Sequence, residues 1–187
     1  MNKTSAIAAV LAATRTEPTV FTTGYACRIA NHLGDRPNHF YMTGSMGLAA
    51  SIGIGIAQAT RRTTVVVDGD GSLLMNPVGL VTAGALPDLP LLHIVLDDGR
   101  YASTGGQFVP SRRADLGAWA AACGYPKVAE SGDPAEFAGL VRTTVADCTS
   151  PVLLLARLTE PDPPVPGRID TDLAAHARRF QSRLARN

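Results

Sequence analysis

Two apolar runs that end in acidic and glycine residues constrain the fold of this chain most strongly. The first covers residues 65–67 and is followed by Asp68-Gly69-Asp70-Gly71-Ser72. The second covers residues 91–96 and is followed by Asp97-Asp98-Gly99-Arg100-Tyr101. Runs of this kind are typical of parallel strands that are buried on both faces, and open α/β sheets bind ligands at the carboxyl ends of such strands. The two runs therefore predict an α/β fold in which Asp70 and Asp98 lie at neighbouring strand ends.

The residues after the first run indicate what could bind at this edge of the sheet. Gly71 would let a phosphate approach the backbone, and a helix starting at Ser72 would direct its free N–H groups at that phosphate. Two carboxylates together with phosphate oxygens are a common set of ligands for Mg²⁺. Asp-Gly pairs are also ordinary turn formers, so either half alone is equally compatible with a simple loop. Both halves together favour a metal–diphosphate site.

Size and composition indicate one ordinary globular domain. The chain has 187 residues, of which 45% are hydrophobic and 18% charged, enough for one buried core and short for two. A net charge of +1 gives no reason to expect nucleic acid or an acidic membrane surface. Three cysteines without metal-ligand spacing predict free thiols in a reducing compartment. The apolar run at residues 6–13 indicates a buried helix face rather than a signal peptide, and no stretch approaches the roughly 18 apolar residues of a membrane span. We expect a cytoplasmic protein.

Helices and short strands alternate along the rest of the chain. One prediction concerns packing: Gly47, Ser51 and Gly55 would share a helix face with almost no side chains, which allows close approach to a sheet or another helix. Asn76 is a candidate cap for the helix after Gly71, and His93 is predicted as a core histidine. Strands are predicted at residues 19–22, 40–42 and 151–157. Helices are predicted at 4–15 (capped by Thr4 or Ser5), at 26–33, from the end of the turn at 43–47 to about residue 59, at 114–123, and at 133–147 (capped by Asp133).

The C-terminal part has a different composition. Residues 161–167 are rich in proline and predict a stiff linker. A tail helix from Asp170 is predicted to carry Arg178, Arg179, Arg183 and Arg186 on a solvated or partner-facing end. We therefore divide the chain into a domain at residues 1–160 and a linker and helix at 161–187, packed on that domain or on a partner.

The spacing between the residues that follow the two apolar runs resembles that of a known family, and we call these two segments the signature runs. Gly69-Asp70-Gly71, 25 further residues and Asp97-Asp98 resemble the thiamine diphosphate signature, a Gly-Asp-Gly followed at this distance by Asn or Asn-Asn. The similarity runs from about residue 5 to 160 and implies a three-layer α/β/α thiamine diphosphate-binding fold with a mostly parallel central sheet. The segments that resemble the cofactor domain of phosphonopyruvate and sulfopyruvate decarboxylases are 21–24, 34–37, 40–41, 44–47 and 103–107.

The resemblance implies roles for individual residues. Mg²⁺ would be bound by Asp70, Asp98 and the backbone carbonyl of Arg100. The Gly44 carbonyl would accept a hydrogen bond from the aminopyrimidine of the cofactor, and Met46 would wedge between its two rings. The cofactor-binding residues implied in this way are Thr23, Gly24, Gly44, Ser45, Met46, Gly69, Asp70, Gly71, Ser72, Asp98, Arg100 and Tyr101.

Substrate contacts are expected from the polar loop that follows Tyr101, since loops in this place commonly close over cofactor and substrate. Thr104 and Gln107 are the candidates. Arg112 and Arg113 would suit a phosphonate or sulfonate group, although adjacent arginines in a loop are more often solvated.

Two features depart from the family pattern. Ylide formation needs an acid beside the pyrimidine ring, normally a buried glutamate, and this chain has only four glutamates: Glu17, Glu130, Glu136 and Glu160. All fall in predicted turns, helix starts or the tail. The resemblance therefore implies that a pyrimidine-binding, α-type partner subunit supplies the glutamate, in a hetero-oligomer.

The second departure is Asp98, where the family usually has Asn. A second carboxylate beside an anionic diphosphate adds electrostatic repulsion that the metal must offset. We expect weaker cofactor binding or a greater dependence on divalent cation.

These observations lead to a functional hypothesis with named alternatives. The chain is predicted to be the cofactor-diphosphate subunit of a thiamine diphosphate-dependent decarboxylase of 3-phosphonopyruvate or 3-sulfopyruvate, small anionic 2-oxo acids that would yield CO₂ and an aldehyde. Alternatives are a carboligase or acyl-transfer subunit and a non-catalytic regulatory or scaffold subunit. A generic nucleotide-binding protein is disfavoured, because the chain lacks a Gly-rich phosphate loop with Lys-Ser/Thr.

Overall fold

The computed structural model describes residues 1–185, so Arg186 of the predicted tail helix lies outside the described residues. Helices and strands alternate through most of this range, and a short 3₁₀ helix covers Pro110–Arg113. The helices are α1 (Lys3–Ala13), α2 (Tyr25–Gly34), α3 (Ala49–Thr60), α4 (Asp70–Met75), α5 (Val78–Gly84), α6 (Leu116–Ala122), α7 (Pro134–Ala146) and α8 (Leu173–Leu184). The strands are β1 (Thr19–Phe21), β2 (His39–Tyr41), β3 (Thr64–Gly69), β4 (Leu91–Asp97), β5 (Arg100–Tyr101), β6 (Gln107–Phe108), β7 (Lys127–Ser131) and β8 (Val152–Arg157).

Six of these strands form one parallel sheet in the order β2-β1-β3-β4-β8-β7. The two signature strands are neighbours, with Thr64 opposite Leu91 and Gly69 opposite Leu96. Because successive side chains of a strand point to opposite faces, Val65 and Val67 pack against α1, α2 and α7 on one side, whereas Val66 packs against α3, α5 and α6 on the other. The predicted three-layer α/β/α architecture with a parallel sheet is confirmed.

Close packing of α3 on the sheet depends on a glycine that the sequence reasoning did not select. A Cβ at Gly53 would lie 2.1 Å from Cγ2 of Val66, so only glycine lets the helix approach this strand. The face predicted from Gly47, Ser51 and Gly55 is wrong: Ser51 and Gly55 are exposed, and Gly47 precedes the helix. The helix begins at Ala49, which places Gly53 on the buried face instead.

Two predicted caps are also wrong. Asn2 caps α1: its side chain accepts from the Ser5 N–H at 2.9 Å, while the Ser5 hydroxyl accepts from the Asn2 N–H at 3.2 Å. The helix after the first signature run starts at Asp70, two residues before the predicted start, and is interrupted at Pro77, whose ring cannot continue a helix. The Asn76 side chain donates to the Gly47 carbonyl at 3.0 Å rather than capping a helix.

Two strand features were not expected from the sequence. β7 is an edge strand whose residues are mostly exposed and include Lys127 and Glu130; charged edges protect sheets from aggregation but hide the apolar pattern of a strand. The loop after Tyr101 is a small antiparallel hairpin of β5 and β6, with Tyr101 opposite Gln107.

The tail helix α8 packs against β2 of this same chain. It begins at Leu173 and is capped by Asp172, rather than starting at Asp170. His176 accepts a hydrogen bond of 3.1 Å from the Tyr41 N–H, and the Phe180 ring lies 5.3 Å from that of Phe40.

The exposed side of α8 is also tied to this chain. Arg179, predicted as solvated or partner-facing, donates two hydrogen bonds of 2.6 and 2.7 Å to the Asp35 carboxylate. Helix α8 therefore covers the outer strand of the sheet. The division of the chain at residue 160 stays a prediction.

The structure also tests the predictions made for His93, for the three cysteines and for membrane-spanning segments. His93 is fully buried, with Nε2 3.5 Å from Asp68 Oδ2, as expected of a core histidine. Cys27, Cys123 and Cys148 are free thiols. Within residues 1–185, no helix has the length and apolarity needed to cross a membrane.

Candidate functional site

The predicted cofactor residues gather at the carboxyl ends of β1, β2, β3 and β4, around two adjoining cavities. The inner cleft lies directly over these strand ends and is also lined by Lys3 and Ser103. It contains nine of the predicted residues: Thr23, Met46, Gly69, Asp70, Gly71, Ser72, Asp98, Arg100 and Tyr101.

The outer cavity, of about 580 Å³, contains the other three predicted residues, Gly24, Gly44 and Ser45. Thr23 and Met46 line both spaces. The two cavities therefore adjoin, and a bound molecule could extend from the inner cleft into the outer cavity.

Ser72 holds three segments of the inner cleft together. Its hydroxyl lies 3.1 Å from that of Thr22 at the end of β1 and accepts a hydrogen bond of 3.1 Å from the Gly47 N–H. The loop that contains Gly47 is an unusual turn, in which Ser45 has a φ of 58° and Gly47 a φ of 94°. Because non-glycine residues seldom adopt positive φ, the side chains that fix this loop are needed to maintain its conformation.

Asp70 is buried at the base of the inner cleft. One carboxylate oxygen accepts from the Gly71 N–H at 2.8 Å, and the other from the Gly99 N–H and the Ser111 hydroxyl, both at 2.9 Å. Burial raises the pKa of Asp70 to about 7, with the Ser111 hydrogen bond acting in the opposite direction and nearby Asp97 adding to the rise. Among residues 1–185, no cationic side chain forms an ion pair with Asp70.

Asp97 lies behind Asp70, joined to it through Ser111. The Ser111 hydroxyl is also 3.1 Å from Asp97 Oδ1, and Arg157 pairs with the other oxygen of Asp97. A hydroxyl has a single hydrogen, so it donates to only one of the two carboxylates at a time, and the second contact is satisfied when a carboxyl group carries a proton. The raised pKa of Asp70 fits this arrangement.

Asp98 faces the inner cleft on the other side of the same turn. Its Oδ2 accepts a hydrogen bond of 2.6 Å from Lys3 Nζ, and its Oδ1 accepts one of 3.2 Å from the Arg100 N–H. Gly99, with a φ of 70°, allows the turn that directs Asp97 and Asp98 to opposite sides. Sequence reasoning missed Lys3, Ser111 and Arg157, because they come from three distant segments; the paired acids at 97–98 were the only local signal.

Gly71 has a different neighbour from the one predicted. A Cβ at this position would lie 2.2 Å from Cε1 of Tyr101, so the close approach in this structure is that of the Tyr101 ring. The prediction that Gly71 makes room for a phosphate remains untested. Arg100 directs its guanidinium over the Phe108 ring at 4.6 Å.

The predicted substrate contacts are not all brought together. Thr104 lines the outer cavity, whereas Gln107 is exposed on β6 and lines neither space. Arg112 and Arg113 lie in the 3₁₀ helix, and neither lines the two cavities. The outer cavity instead has Arg28 and Arg168 in its wall.

The inner cleft fits a divalent cation bound together with a diphosphate. Asp70 provides a buried carboxylate with no cationic partner in the described part of the chain, and Asp98 provides a second carboxylate in the lining of the same cleft. Within residues 1–185, no group of three or more His, Cys, Asp or Glu side chains is arranged to hold a metal. A cation here would therefore complete its coordination with oxygens of the ligand, which is how Mg²⁺ commonly binds with phosphates.

Comparisons with known proteins agree with this geometry. The family model described as "Thiamine pyrophosphate enzyme, C-terminal TPP binding domain" matches residues 22–158. A phosphonopyruvate decarboxylase of Streptomyces viridochromogenes is 53% identical over 109 residues, which are 58% of this chain and 28% of that protein. The sulfopyruvate decarboxylase subunit beta of Methanothermobacter thermautotrophicus is 42% identical over 125 residues, which are 67% of this chain and 68% of that subunit.

The fold has a counterpart among solved structures. An enzyme from Mycobacterium smegmatis, described as thiamin diphosphate-dependent, superposes with a TM-score of 0.70 at 21% identity and covers 86% of this chain and 32% of that one. The chain belongs to the thiamine pyrophosphate enzyme family and corresponds to its C-terminal TPP-binding domain. The family resemblance drawn from the sequence motifs is confirmed. The chain spans just over a quarter of the length of the Streptomyces relative.

Proposed function

We propose that this chain is the cofactor-diphosphate subunit of a two-chain, thiamine diphosphate-dependent decarboxylase that acts on 3-phosphonopyruvate or 3-sulfopyruvate. The observation that carries the proposal is the convergence of Asp70, Ser72 and Asp98 on one cleft, in a chain of the TPP enzyme family. The names of the relatives supply the two substrates. The three free thiols favour a cytoplasmic location.

The residues of the inner cleft have defined parts in this proposal. Asp70, Asp98 and the carbonyl of Arg100 would bind Mg²⁺, and Thr23, Gly69 and Ser72 would contact the diphosphate. When bound, thiamine diphosphate supplies an electron sink for the carbanion left by loss of CO₂. Ser111 and the Gly99 N–H orient the Asp70 carboxylate, since both donate to the same oxygen.

Met46 supports the placement of the rest of the cofactor. It lines both the inner cleft and the outer cavity, so a molecule that extends from one to the other would contact it. A flexible thioether suits such a contact. The Gly44 carbonyl and Ser45, on the outer side of Met46, would contact the ring that extends into the outer cavity.

The outer cavity suits an anionic substrate. Arg28 and Arg168 line it, and neither forms an ion pair with an acidic side chain among residues 1–185. Guanidinium groups bind phosphonate and sulfonate oxygens well because their planar donors can pair with two oxygens. We assign these two arginines, with Thr104, to the substrate's charged end in place of Arg112 and Arg113.

A partner subunit would supply the missing acid. None of the four glutamates, all within the described part of the chain, lines either cavity; Glu130 pairs with Arg157, and Glu136 accepts from the Ser131 hydroxyl. Relatives of this chain are named as beta subunits, which implies a second chain. We propose a pyrimidine-binding, α-type subunit that completes the site.

An exposed apolar surface next to the site fits that partner. Leu48, Met75, Val78 and Val81 are between 43% and 63% exposed. They lie close together, because Met75 approaches Gly47 and Gly79 packs on Ala50. Exposed apolar patches of this kind mark protein interfaces. This partner surface borders the loop of Gly44–Met46, where the incoming glutamate would be needed.

The proposal is tested by assembling the chain with an α-type subunit, Mg²⁺ and thiamine diphosphate. Release of CO₂ and an aldehyde from either 3-phosphonopyruvate or 3-sulfopyruvate is the expected result. Formation of a coupled hydroxy-ketone instead would identify a carboligase. A complex that binds the cofactor but consumes neither substrate would contradict the proposal and favour a regulatory or scaffold subunit.

A further inference from the structure

Lys3 places a positive charge inside the inner cleft. Its Nζ lies 2.6 Å from Oδ2 of Asp98, although the two residues are 95 positions apart. The Lys3 side chain is only 9% exposed, whereas that of Asp98 is 22% exposed. An ammonium group buried to this extent needs a charged partner, and the nearest alternative, the Asp162 carboxylate, is 3.9 Å away.

We infer that Lys3 is a positioning residue for diphosphate binding, which it assists by neutralising and holding Asp98. This inference deepens the proposed function and rests on it. Two carboxylates, Asp70 and Asp98, face a cleft proposed to receive a group that is itself anionic. Like charges brought together in a partly buried space repel strongly. Lys3 offsets the charge of one of these two carboxylates.

The hydrogen bonds of Asp98 show how Lys3 acts on geometry as well as charge. Lys3 binds Oδ2, and the Arg100 N–H binds Oδ1, so the carboxylate is held from both ends. Lys3 itself stands in the first turn of α1 and lies 5.9 Å from the centre of the Tyr25 ring. Helix α1 therefore supplies a fixed cation to the turn between β4 and β5.

A purely structural ion pair would attach α1 to this turn without affecting a ligand. The two possibilities differ in their response to a second substitution. If Lys3 serves to offset the charge of Asp98, removing that charge should make Lys3 dispensable for diphosphate binding. If it serves only to attach the helix, Lys3→Met and Asp98→Asn break the same contact and should weaken ligand binding to the same extent or not at all.

The experiment measures binding of magnesium pyrophosphate to the full chain by calorimetry, for wild type, Lys3→Met, Asp98→Asn and the double variant. Lys3→Met is expected to raise Kd by about 10- to 100-fold, since it leaves a partly buried carboxylate unpaired. The double variant should bind within about 2-fold of Asp98→Asn alone. Lys3→Arg, which keeps the charge, should bind within about 3-fold of wild type.

Controls separate binding from folding. Lys127→Met changes the chain's other lysine, at an exposed position on β7, and should leave Kd unchanged. Thermal unfolding without ligand reports whether each variant folds. If Lys3→Met alone does not fold, the double variant, which has no carboxylate at residue 98, is compared with Asp98→Asn instead.

Three outcomes would overturn the inference. Equal Kd values for wild type and Lys3→Met would do so, as would multiplicative effects of the two substitutions or equal losses of affinity in Lys3→Met and Asp98→Asn. If wild type does not bind magnesium pyrophosphate, this inference also fails; the proposed function is judged separately, by CO₂ release from the assembled complex.

Discussion

The Ser111 hydroxyl donates a hydrogen bond of 2.9 Å to the Asp70 carboxylate, from a residue 41 positions further along the chain. The same hydroxyl lies 3.1 Å from Asp97, which Arg157 anchors. Asp70 is thus oriented by a buried polar network that reaches back to β8. Such networks hold site residues rigidly when all members are satisfied and are costly when one is lost.

Ser111→Ala should weaken this network. The variant leaves two buried carboxylates without their shared partner, so we expect a loss of about 1–3 kcal/mol in the free energy of unfolding and weaker binding of magnesium pyrophosphate. Urea unfolding and calorimetry measure the two effects. Ser51→Ala, at an exposed position on α3, is the matched control. Unchanged stability and affinity in Ser111→Ala would show that Asp70 is oriented without this hydroxyl.

Asp70→Asn should remove one source of pH-dependent stability together with ligand binding. In the folded chain the pKa of Asp70 is about 7, against an ordinary value of 3.8. The folded state therefore holds a proton that the unfolded state releases between these values, and stability falls as pH rises through that window. Asn avoids this cost.

Between pH 4 and pH 8, ligand-free wild type should lose about 1–3 kcal/mol more of its free energy of unfolding than Asp70→Asn does. Binding of magnesium pyrophosphate should be lost. Unfolding curves at several pH values and calorimetry provide the measurements, with exposed Asp88→Asn as control. An equal loss in wild type and Asp70→Asn would mean that Asp70 does not titrate in this pH range.

Attachment of α8 should depend on pH. Burial lowers the pKa of His176, and nearby Arg179 lowers it further, while Asp35 acts in the opposite direction; burial also lowers the pKa of His39 to about 4. Neutral His176 accepts the hydrogen bond of the Tyr41 N–H, which a protonated ring could not do. Below about pH 6.5 the unfolded chain takes up protons that the folded chain excludes, so stability falls as pH decreases.

We expect hydrogen exchange of α8 to accelerate between pH 7 and pH 5.5, before the rest of the chain loses protection. His176→Gln, which can accept the same hydrogen bond without titrating, should reduce this effect. His32→Gln, at an exposed position on α2, should not. An α8 whose exchange is independent of pH after correction for the intrinsic rate would refute the prediction.

The parts of the site that the sequence predicts are those encoded locally. Residues 65–67 and, apart from His93, residues 91–96 are apolar on both faces, so they identify buried neighbouring strands. The residues that follow each run must therefore lie at one sheet edge. Lys3, Ser111 and Arg157 reach that edge only through tertiary packing. Nothing in a window around Asp98 or Asp70 indicates which distant cation or hydroxyl will contact it.

Errors in the fold have similar causes. The small-residue face predicted for α3 lies two residues away from the true one, because the face depends on where the helix starts. Helix boundaries are hard to predict, because they depend on weak capping interactions. β7 was missed because edge strands need not alternate in hydrophobicity. Asn76 is a residue type that can cap a helix. In the folded chain its side chain donates to the Gly47 carbonyl instead.

The two arginines of the outer cavity should determine substrate preference. We expect Arg28→Gln and Arg168→Gln each to raise KM about 10-fold or more for a 2-oxo acid with a phosphonate or sulfonate group, since each removes a charge-assisted hydrogen bond. KM for pyruvate, which lacks that group, should change little.

Steady-state kinetics of the assembled complex measure these values, and cofactor affinity should remain that of wild type. Arg113→Gln, exposed in the 3₁₀ helix, is the control. Equal losses for pyruvate and for the charged substrates would assign the arginines to general folding or cofactor binding instead.

The partner surface should be sensitive to charge. Val78 and Val81 lie on α5 and are 63% and 56% exposed, so replacing each with Asp costs little in the isolated chain but places a carboxylate in an apolar interface. We expect Val78→Asp combined with Val81→Asp to reduce co-purification of the α-type subunit at least 10-fold, with the thermal midpoint of the isolated chain close to that of wild type. Thr143→Asp, exposed on α7 across the sheet, adds the same type of charge and should leave assembly unchanged. Normal assembly of the double variant would place the partner elsewhere, and its loss in Thr143→Asp as well would mean that charge alone, rather than this surface, governs association.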